Sequence, residues 1–321
     1  MNNYNRVAIG KQASELGFIR DSFEKVCRLA ELLSFFERDP VLSRYLALKG
    51  GTAINLTIFN MPRLSVDIDF DFAENMTLEK TTALRETIRD TIKRYMDMNG
   101  YSLTTKSKEY HALDSDVYRY ISSAGGRDNL KIEVNYSLRC HVMPLTKRPI
   151  ETLGVFAPTT VLSLDPIEIF ASKIVALLTR SAVRDLYDVN NMIHLKIFDG
   201  TQAETLRKCV VFYTAIETES TLEFLDFDKI DAITNRDIRM KLKPMLRKQE
   251  PFDLDTAREC VWEYLTELMT LSDSEKVFLT SFQRGKYQPE LLYSGETLER
   301  IRNHPMVTWK MTNMGMPHLS E

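Results

Sequence analysis

Four cysteines, Cys27, Cys140, Cys209 and Cys260, are scattered through 321 residues with no C-x-x-C pair. That spacing excludes a disulfide framework and predicts reduced thiols in a cytoplasm. Five histidines include no H-E-x-x-H, so a zinc site is not expected. No run of about 18 apolar residues occurs, and Met1–Gly10 has no apolar leader core, so a soluble protein with no membrane partner is expected. The sequence has no internal repeat and no low-complexity segment. Charge of one sign is also scarce: the formal net charge is -3, so any nucleic-acid contact has to come from a local patch. What the chain does have is 44% hydrophobic residues, enough for one large core or two.

The densest information lies between Leu48 and Phe72. Gly50-Gly51-Thr52 is a flexible turn opening a short apolar helix, which Pro62 limits. Val66-Asp67-Ile68-Asp69-Phe70-Asp71-Phe72 alternates apolar and acidic residues at the period of a β-strand. Asp67, Asp69 and Asp71 therefore share one face. Three carboxylates in a row repel each other unless water solvates them or a cation binds them. A hard divalent ion such as Mg²⁺, held by one or two carboxylates and by substrate phosphates, suits the second case. An edge strand with a solvated acidic face suits the first. Exposed N–H groups at the glycine turn add an anion site beside the carboxylates.

A glycine turn, a helix and Asp-x-Asp on the next strand resemble the nucleotidyltransferase superfamily with its polymerase-β-like fold. The string Leu48-Lys49-Gly50-Gly51-Thr52-Ala53, followed by Pro62-Arg63-Leu64-Ser65-Val66-Asp67-Ile68-Asp69-Phe70, is similar to the AbiEii/AbiGii toxin family within it. Those proteins are nucleotidyltransferase-like toxins of bacterial toxin–antitoxin and phage-defence systems.

Helical spacing of apolar residues runs from about Ser14 to Phe36, and Tyr45-Leu46-Ala47-Leu48 reads as a buried strand. Arg63 and Ser65 lie between the turn helix and the acidic strand. They are either loop residues or, on the resemblance, part of a phosphate site. Thr77 to about Met98 is a covering amphipathic helix. Val117–Ile121 and Leu130–Tyr136 read as strands joined at Gly125-Gly126-Arg127-Asp128-Asn129. The superfamily has a third carboxylate on a strand beside Asp-x-Asp, and Glu133 is the acidic residue placed for it; a solvent-facing Glu is the alternative.

Asp165-Pro166-Ile167-Glu168 is a helix start, with Asp165 as N-cap and Glu168 closing a capping box. Lys173 on that helix has Ile169, Phe170, Ala176 and Leu177 as surface neighbours, so it projects from an apolar face. It either snorkels at the edge of the core or meets nucleotide phosphate. On the phosphate reading, removing the charge from that apolar face leaves stability unchanged or higher. Arg184-Asp185-Leu186-Tyr187-Asp188 follows; these charges either tie two helices together or, as the resemblance implies, one of Asp185 and Asp188 acts with Lys173. Beyond Thr201 only helices are expected, with Trp262, Tyr264 and Phe278 in helix cores. Arg236, Arg239, Lys241, Lys243, Arg247 and Lys248 form either a solvated basic face or a nucleic-acid footprint. The stretch after Pro305, with Met311, Met314 and Met316, is expected to be poorly ordered.

The expected fold is α+β: a small mixed sheet flanked by helices, then a helical C-terminal half. Its divisions are an N-terminal helical segment at 1–44, a nucleotidyltransferase core at 45–160 and a helical domain at 161–321. The resemblance implies a nucleoside triphosphate substrate and Mg²⁺, with Mn²⁺ as the alternative, held by Asp67 and Asp69. It implies a phosphate cradle at Gly50, Gly51 and Thr52, phosphate neutralisation by Lys173, and a ligand or base role for Glu133. It also implies an RNA acceptor (the tRNA 3′ end) and an antitoxin protein as partner. The competing class is a nucleotide-binding protein of the same fold with little catalysis, acting by sequestering a partner.

Overall fold

A computed structural model of the protein describes residues 4–151, 153–155, 157–217 and 227–314. They divide into two compact units. The first runs to Arg139 and takes in Leu145–Leu164 and Lys243–Glu250; the second consists of Cys140–Pro144, Asp165–Leu242 and the chain from Pro251 on.

The first unit is built on one mixed eight-stranded sheet. Its strands are β1 (Leu46–Lys49), β2 (Asp67–Phe72), β3 (Ser102–Leu103), β4 (Lys108–Tyr110), β5 (Leu113–Ile121), β6 (Arg127–Asn135), β7 (Thr146–Pro149) and β8 (Thr160–Ser163). They lie in the order β3-β5-β6-β2-β1-β8-β7, with β4 paired to β5 outside that path. The central strand β2 is antiparallel to β1 and parallel to β6. It begins at Asp67, one residue later than the alternation suggests, and keeps the predicted two faces. Ile68, Phe70 and Phe72 are buried, and Phe36 stacks on Phe70 with ring centroids 5.1 Å apart.

The helices behind that apolar face are α1 (Arg6–Glu15), α2 (Arg20–Arg38) and α3 (Leu78–Met98). The single helix expected from Ser14 to Phe36 is two, because Gly17 takes φ +80° and turns the chain between α1 and α2. Phe35 of α2 stacks on Tyr95 of α3 at 3.9 Å. Alternate residues of β5 put Asp114 on this hidden side, where Arg85 of α3 binds it at 2.7 Å. The turn between β5 and β6 is anchored as well. Glu24 of α2, fully buried, accepts from the Ser123 backbone N–H at 3.0 Å, from the Ser123 hydroxyl, and from Arg28 at 2.7 Å.

Among its described residues the second unit has helices and loops but no strand. Its main elements are α4 (Pro166–Thr179), α5 (Val183–His194), α6 (Gly200–Glu217) and α7 (Leu254–Leu268). Asp165 caps α4 through the Ile167 N–H at 2.9 Å, as expected. Glu168 does not close a capping box. It is wholly buried and accepts from the backbone N–H groups of Val142 and Met143, at 3.2 and 3.0 Å, and from the Tyr213 hydroxyl of α6. His141 lies 3.4 Å from the same carboxylate. Burial alone would push that carboxyl up, yet His141, Tyr213 and the backbone donors outweigh it and hold it below its ordinary value.

Two further expectations for this unit fail. Trp262 of α7 is 46% exposed, outside the core that Phe278 joins. Pro305–Met314, expected to be poorly ordered, is a helix; Met316 falls outside the described residues.

Candidate active site

Strand pairing brings the charged residues of the first unit into rows. Lys108 of β4 stands opposite Ser115 of β5, Ser115 opposite Glu133 of β6, Glu133 opposite Asp69 of β2, and Asp69 opposite Lys49 of β1. Paired residues share a face, so one side of the sheet carries a line of polar side chains across five strands. Asp67 sits one step along the same face, opposite Lys131.

The glycine turn approaches this row closely. Gly50 has φ +69°, a left-handed conformation that glycine adopts at little cost. A Cβ there would lie 2.8 Å from Asp69 Oδ2. At Gly51 a Cβ would come within 2.8 Å of Arg63 Nη2 and 3.1 Å of Ser65 Oγ. Both positions therefore exclude a side chain so that backbone can reach the carboxylate and the loop beneath. Arg63 is only 1% exposed, donates to the Leu64 carbonyl at 2.9 Å and pairs by backbone with Leu246. Its guanidinium is a floor for the turn. Thr52 is buried too, and its hydroxyl donates to the Asp67 carbonyl, tying turn to strand. Ser65 lies outside β2, on the connection leading into it, but still reaches Gly51.

The three acidic residues of β2 are not equivalent. Asp71 is 2% exposed and bound by Lys49 Nζ at 2.5 Å, so its charge is neutralised within the sheet. Asp67 and Asp69 remain half-buried. Glu133 is ion-paired to Lys131 at 2.9 Å. Burial raises the Glu133 carboxyl, but hydrogen bonds from Lys131 and Ser115 overcome it and leave the group below its ordinary value. Lys131 is shifted up: burial opposes its charge, while Glu133, Asp67 and Asp69 favour it. The sequence shows Lys131 on the same face as Glu133, but its role as counter-ion to the whole acidic row follows from the β2–β6 register.

Among the described residues no three His, Cys, Asp or Glu side chains are grouped to hold a metal unaided. Two carboxylates fit Mg²⁺ nonetheless, because that ion keeps waters and binds through one or two protein carboxylates plus phosphate oxygens. Asp67 and Asp69, beside a turn stripped of Cβ atoms, are a donor set of that kind.

In the second unit Lys173 is 9% exposed and does not snorkel. Its Nζ donates to Asp185 Oδ1 at 2.8 Å and lies 3.4 Å from Asp188 Oδ2; Arg180 holds the other oxygen of Asp185 at 2.9 Å. Burial pushes the Asp185 carboxyl up, but Lys173 and Arg180 prevail and hold it below its usual range. Asp188 is fully buried. The sequence motif thus marks one compact ion cluster joining α4 to α5.

The six basic residues proposed as a footprint belong to both units. Arg236, Arg239 and Lys241 lie in the second, where Lys241 pairs with Asp237 at 2.7 Å. Lys243, Arg247 and Lys248 lie in the first, where Arg247 donates to the Asn60 carbonyl at 3.0 Å and covers the Phe18 ring.

Among known proteins, the model of the nucleotidyl transferase AbiEii toxin family, of type IV toxin–antitoxin systems, matches residues 34–263. No curated protein is detectably similar in sequence. Among solved structures, the nucleotidyltransferase toxin MenT4 of Mycobacterium tuberculosis H37Rv superposes with a TM-score of 0.62 at 15% identity, over 95% of this chain and 98% of that one. A crystal structure of a putative nucleotidyltransferase from H. pylori gives a TM-score of 0.45 at 17% identity, over 76% of this chain and 94% of that one. No helix among the described residues is long and apolar enough to cross a membrane. The family match spans well over half the chain, and the α+β fold with its glycine turn and acidic strand agrees with it: this protein belongs to the AbiEii family of nucleotidyltransferase toxins.

Proposed function

We propose that the protein transfers a nucleoside monophosphate from a nucleoside triphosphate to the 3′ end of an RNA, a tRNA in the first instance, with Mg²⁺ at Asp67 and Asp69 and with Mn²⁺ able to replace it. The carrying observation is the close approach of Gly50 to Asp69 Oδ2, in register with Glu133. An incoming triphosphate fits the N–H groups of Gly50, Gly51 and Thr52, with no Cβ at the two glycines and the Thr52 side chain turned to the Asp67 carbonyl. Arg63 and Ser65 position that turn from below. When bound, the metal supplies charge neutralisation for the phosphates and orients the attacking and leaving oxygens.

In the reaction the acceptor hydroxyl oxygen bonds to the α-phosphorus, the bond to the β-phosphate breaks, and pyrophosphate leaves with the negative charge. Water takes the hydroxyl proton. Glu133, already ion-paired to Lys131, suits a ligand or positioning role better than that of proton acceptor. The family resemblance gives Lys173, held by Asp185 and Asp188, the task of meeting phosphate charge, while the clustering of the exposed Arg236, Arg239, Lys241, Lys243 and Lys248, with the half-buried Arg247, supports a contact to nucleic acid. An antitoxin encoded beside the gene restrains the activity, and the toxin serves phage defence in the cytoplasm.

Incubation with radiolabelled nucleoside triphosphates and total RNA tests this reading. Label should appear on RNA of tRNA size with the intact protein and Mg²⁺, and be lost with EDTA or Asp69→Asn. Protein that binds nucleotide but leaves all RNA unlabelled would refute it.

A further inference from the structure

The polar row does not stop at the carboxylates. Past Glu133 it continues through Ser115 to Lys108 on the outer strand β4. There the sheet forms an open groove of about 440 Å³ lined by Lys106, Lys108, Tyr110, Ser115, Lys131 and Glu133, among others. The alternation of β4 sorts its charges. Glu109 points the other way and is held by Arg89 at 2.6 Å, whereas Lys108 and Tyr110 share the face of the carboxylates. Lys106 and Lys108 are exposed and have no ion pair among the described residues, and Tyr110 is 50% exposed. In a chain of net charge -3 this groove is a local positive surface with an aromatic ring on it.

Its position matters as much as its composition. The glycine turn reaches Asp69 from the β1 side, and the groove opens from Glu133 on the β5 side, so the two flank the acidic residues from opposite directions along one row.

We propose that this groove seats the acceptor: a single-stranded RNA end whose phosphates meet Lys106, Lys108 and Lys131 and whose base stacks on Tyr110. The inference rests on the nucleotidyl-transfer reading and adds the substrate strand's path to it. Lysine-lined grooves with a stacking aromatic are the common solution for single strands, because every base has a π face and every linkage a phosphate. Laid across β4 and β5 along this row, such a strand delivers its terminal hydroxyl towards Glu133 and Asp69, beside the half-buried Lys131.

Fluorescence anisotropy with a labelled mixed-sequence RNA 12-mer, without nucleotide, tests the groove separately from the chemistry. The double variant Lys106→Ala/Lys108→Ala should weaken binding and lower the slope of log Kd against log salt by about 1.4, from about 0.7 per released phosphate contact on a single strand. Tyr110→Ala should weaken it by about five- to a hundredfold with the slope unchanged. Nucleoside triphosphate binding, read by thermal shift, should be the same in all variants, since none touches the glycine turn. RNA binding equal to wild type in both variants overturns the proposal. So does intact protein that transfers nucleotide to RNA with an acceptor KM untouched by these substitutions. Conversely, intact protein that binds RNA through the groove but transfers nothing would refute the transfer reading and leave the groove standing.

Discussion

Lys173 shows how much one residue's partners change its meaning. Seen from its helix neighbours, it is a charge on an apolar face, and replacing it with methionine should cost nothing. The structure reverses that sign. Asp185 and Asp188 are 3% and 0% exposed and both depend on the Lys173 ammonium. Removing the ammonium takes a buried cationic partner from both carboxylates, although Arg180 still holds Asp185, and costs up to about 3–5 kcal/mol. Lys173→Met should therefore unfold at markedly lower urea, and Lys173→Met/Asp185→Asn/Asp188→Asn should recover most of the loss. A single variant as stable as wild type would mean water reaches the two aspartates. The helix spacing of 173 is legible in sequence, but the partner twelve residues on, across a turn, is not.

At the scale of the element, β2 separates three carboxylates that look alike. Asp67→Ala and Asp69→Ala should abolish transfer while changing stability by less than about 1 kcal/mol, since each also relieves repulsion on a partly solvated face. Asp71→Asn should lower stability by about 1–3 kcal/mol, because it breaks a charged contact to Lys49 at a buried site. Chemical denaturation beside the RNA-labelling assay checks both; transfer surviving in Asp67→Ala would remove that residue from the site. The alternation of β2 and the glycine turn before it were legible because each signal is local. The strands β3, β4 and β7 were not: they are two to four residues long and mostly exposed, so they carry no burial period to read. Lys108 consequently joins Ser115, Glu133 and Asp69 only through registers set by β5 and β6. Glu168 misleads for a related reason: its i+3 position from Asp165 fits a capping box, but partners from distant segments claim its carboxylate.

For the molecule as a whole, buried acids set the response to pH. Glu168 and Asp185 have folded-state values below the unfolded ones, so protons bind the unfolded chain more tightly. Their contribution is complete above the ordinary carboxylate range and is lost as pH falls through the depressed folded values. The urea midpoint should thus stay high near neutrality and drop steeply below about pH 4.5, where Asp and Glu of the unfolded chain begin to protonate. In Glu168→Gln that acid limb should be shallower. A midpoint that rises on acidification would contradict the assignment of these carboxylates as charged in the fold. The α+β class could be read from the periods of its strands and helices. The membership of Lys243–Glu250 in the sheet unit could not, because it depends on a backbone pairing of Leu64 with Met245 across some 180 residues.

The buried Glu24 has a kinetic consequence for the β5–β6 hairpin. Its tip, Gly125 and Gly126, is exposed and should trade amide hydrogen for deuterium within the dead time of a manual experiment. Ser123, two residues away, donates its N–H to a carboxylate sealed under α2. Its amide can exchange only when that carboxylate lets go, which exposes Glu24 and Arg28 together. Ser123 should therefore exchange orders of magnitude more slowly than Gly125 and in step with the amides of α2, and Glu24→Gln should release it without speeding the centre of β6. A hairpin with a freely exchanging tip but a slow amide at Ser123 is pinned at one point to α2, and that pin keeps the ends of β5 and β6 together.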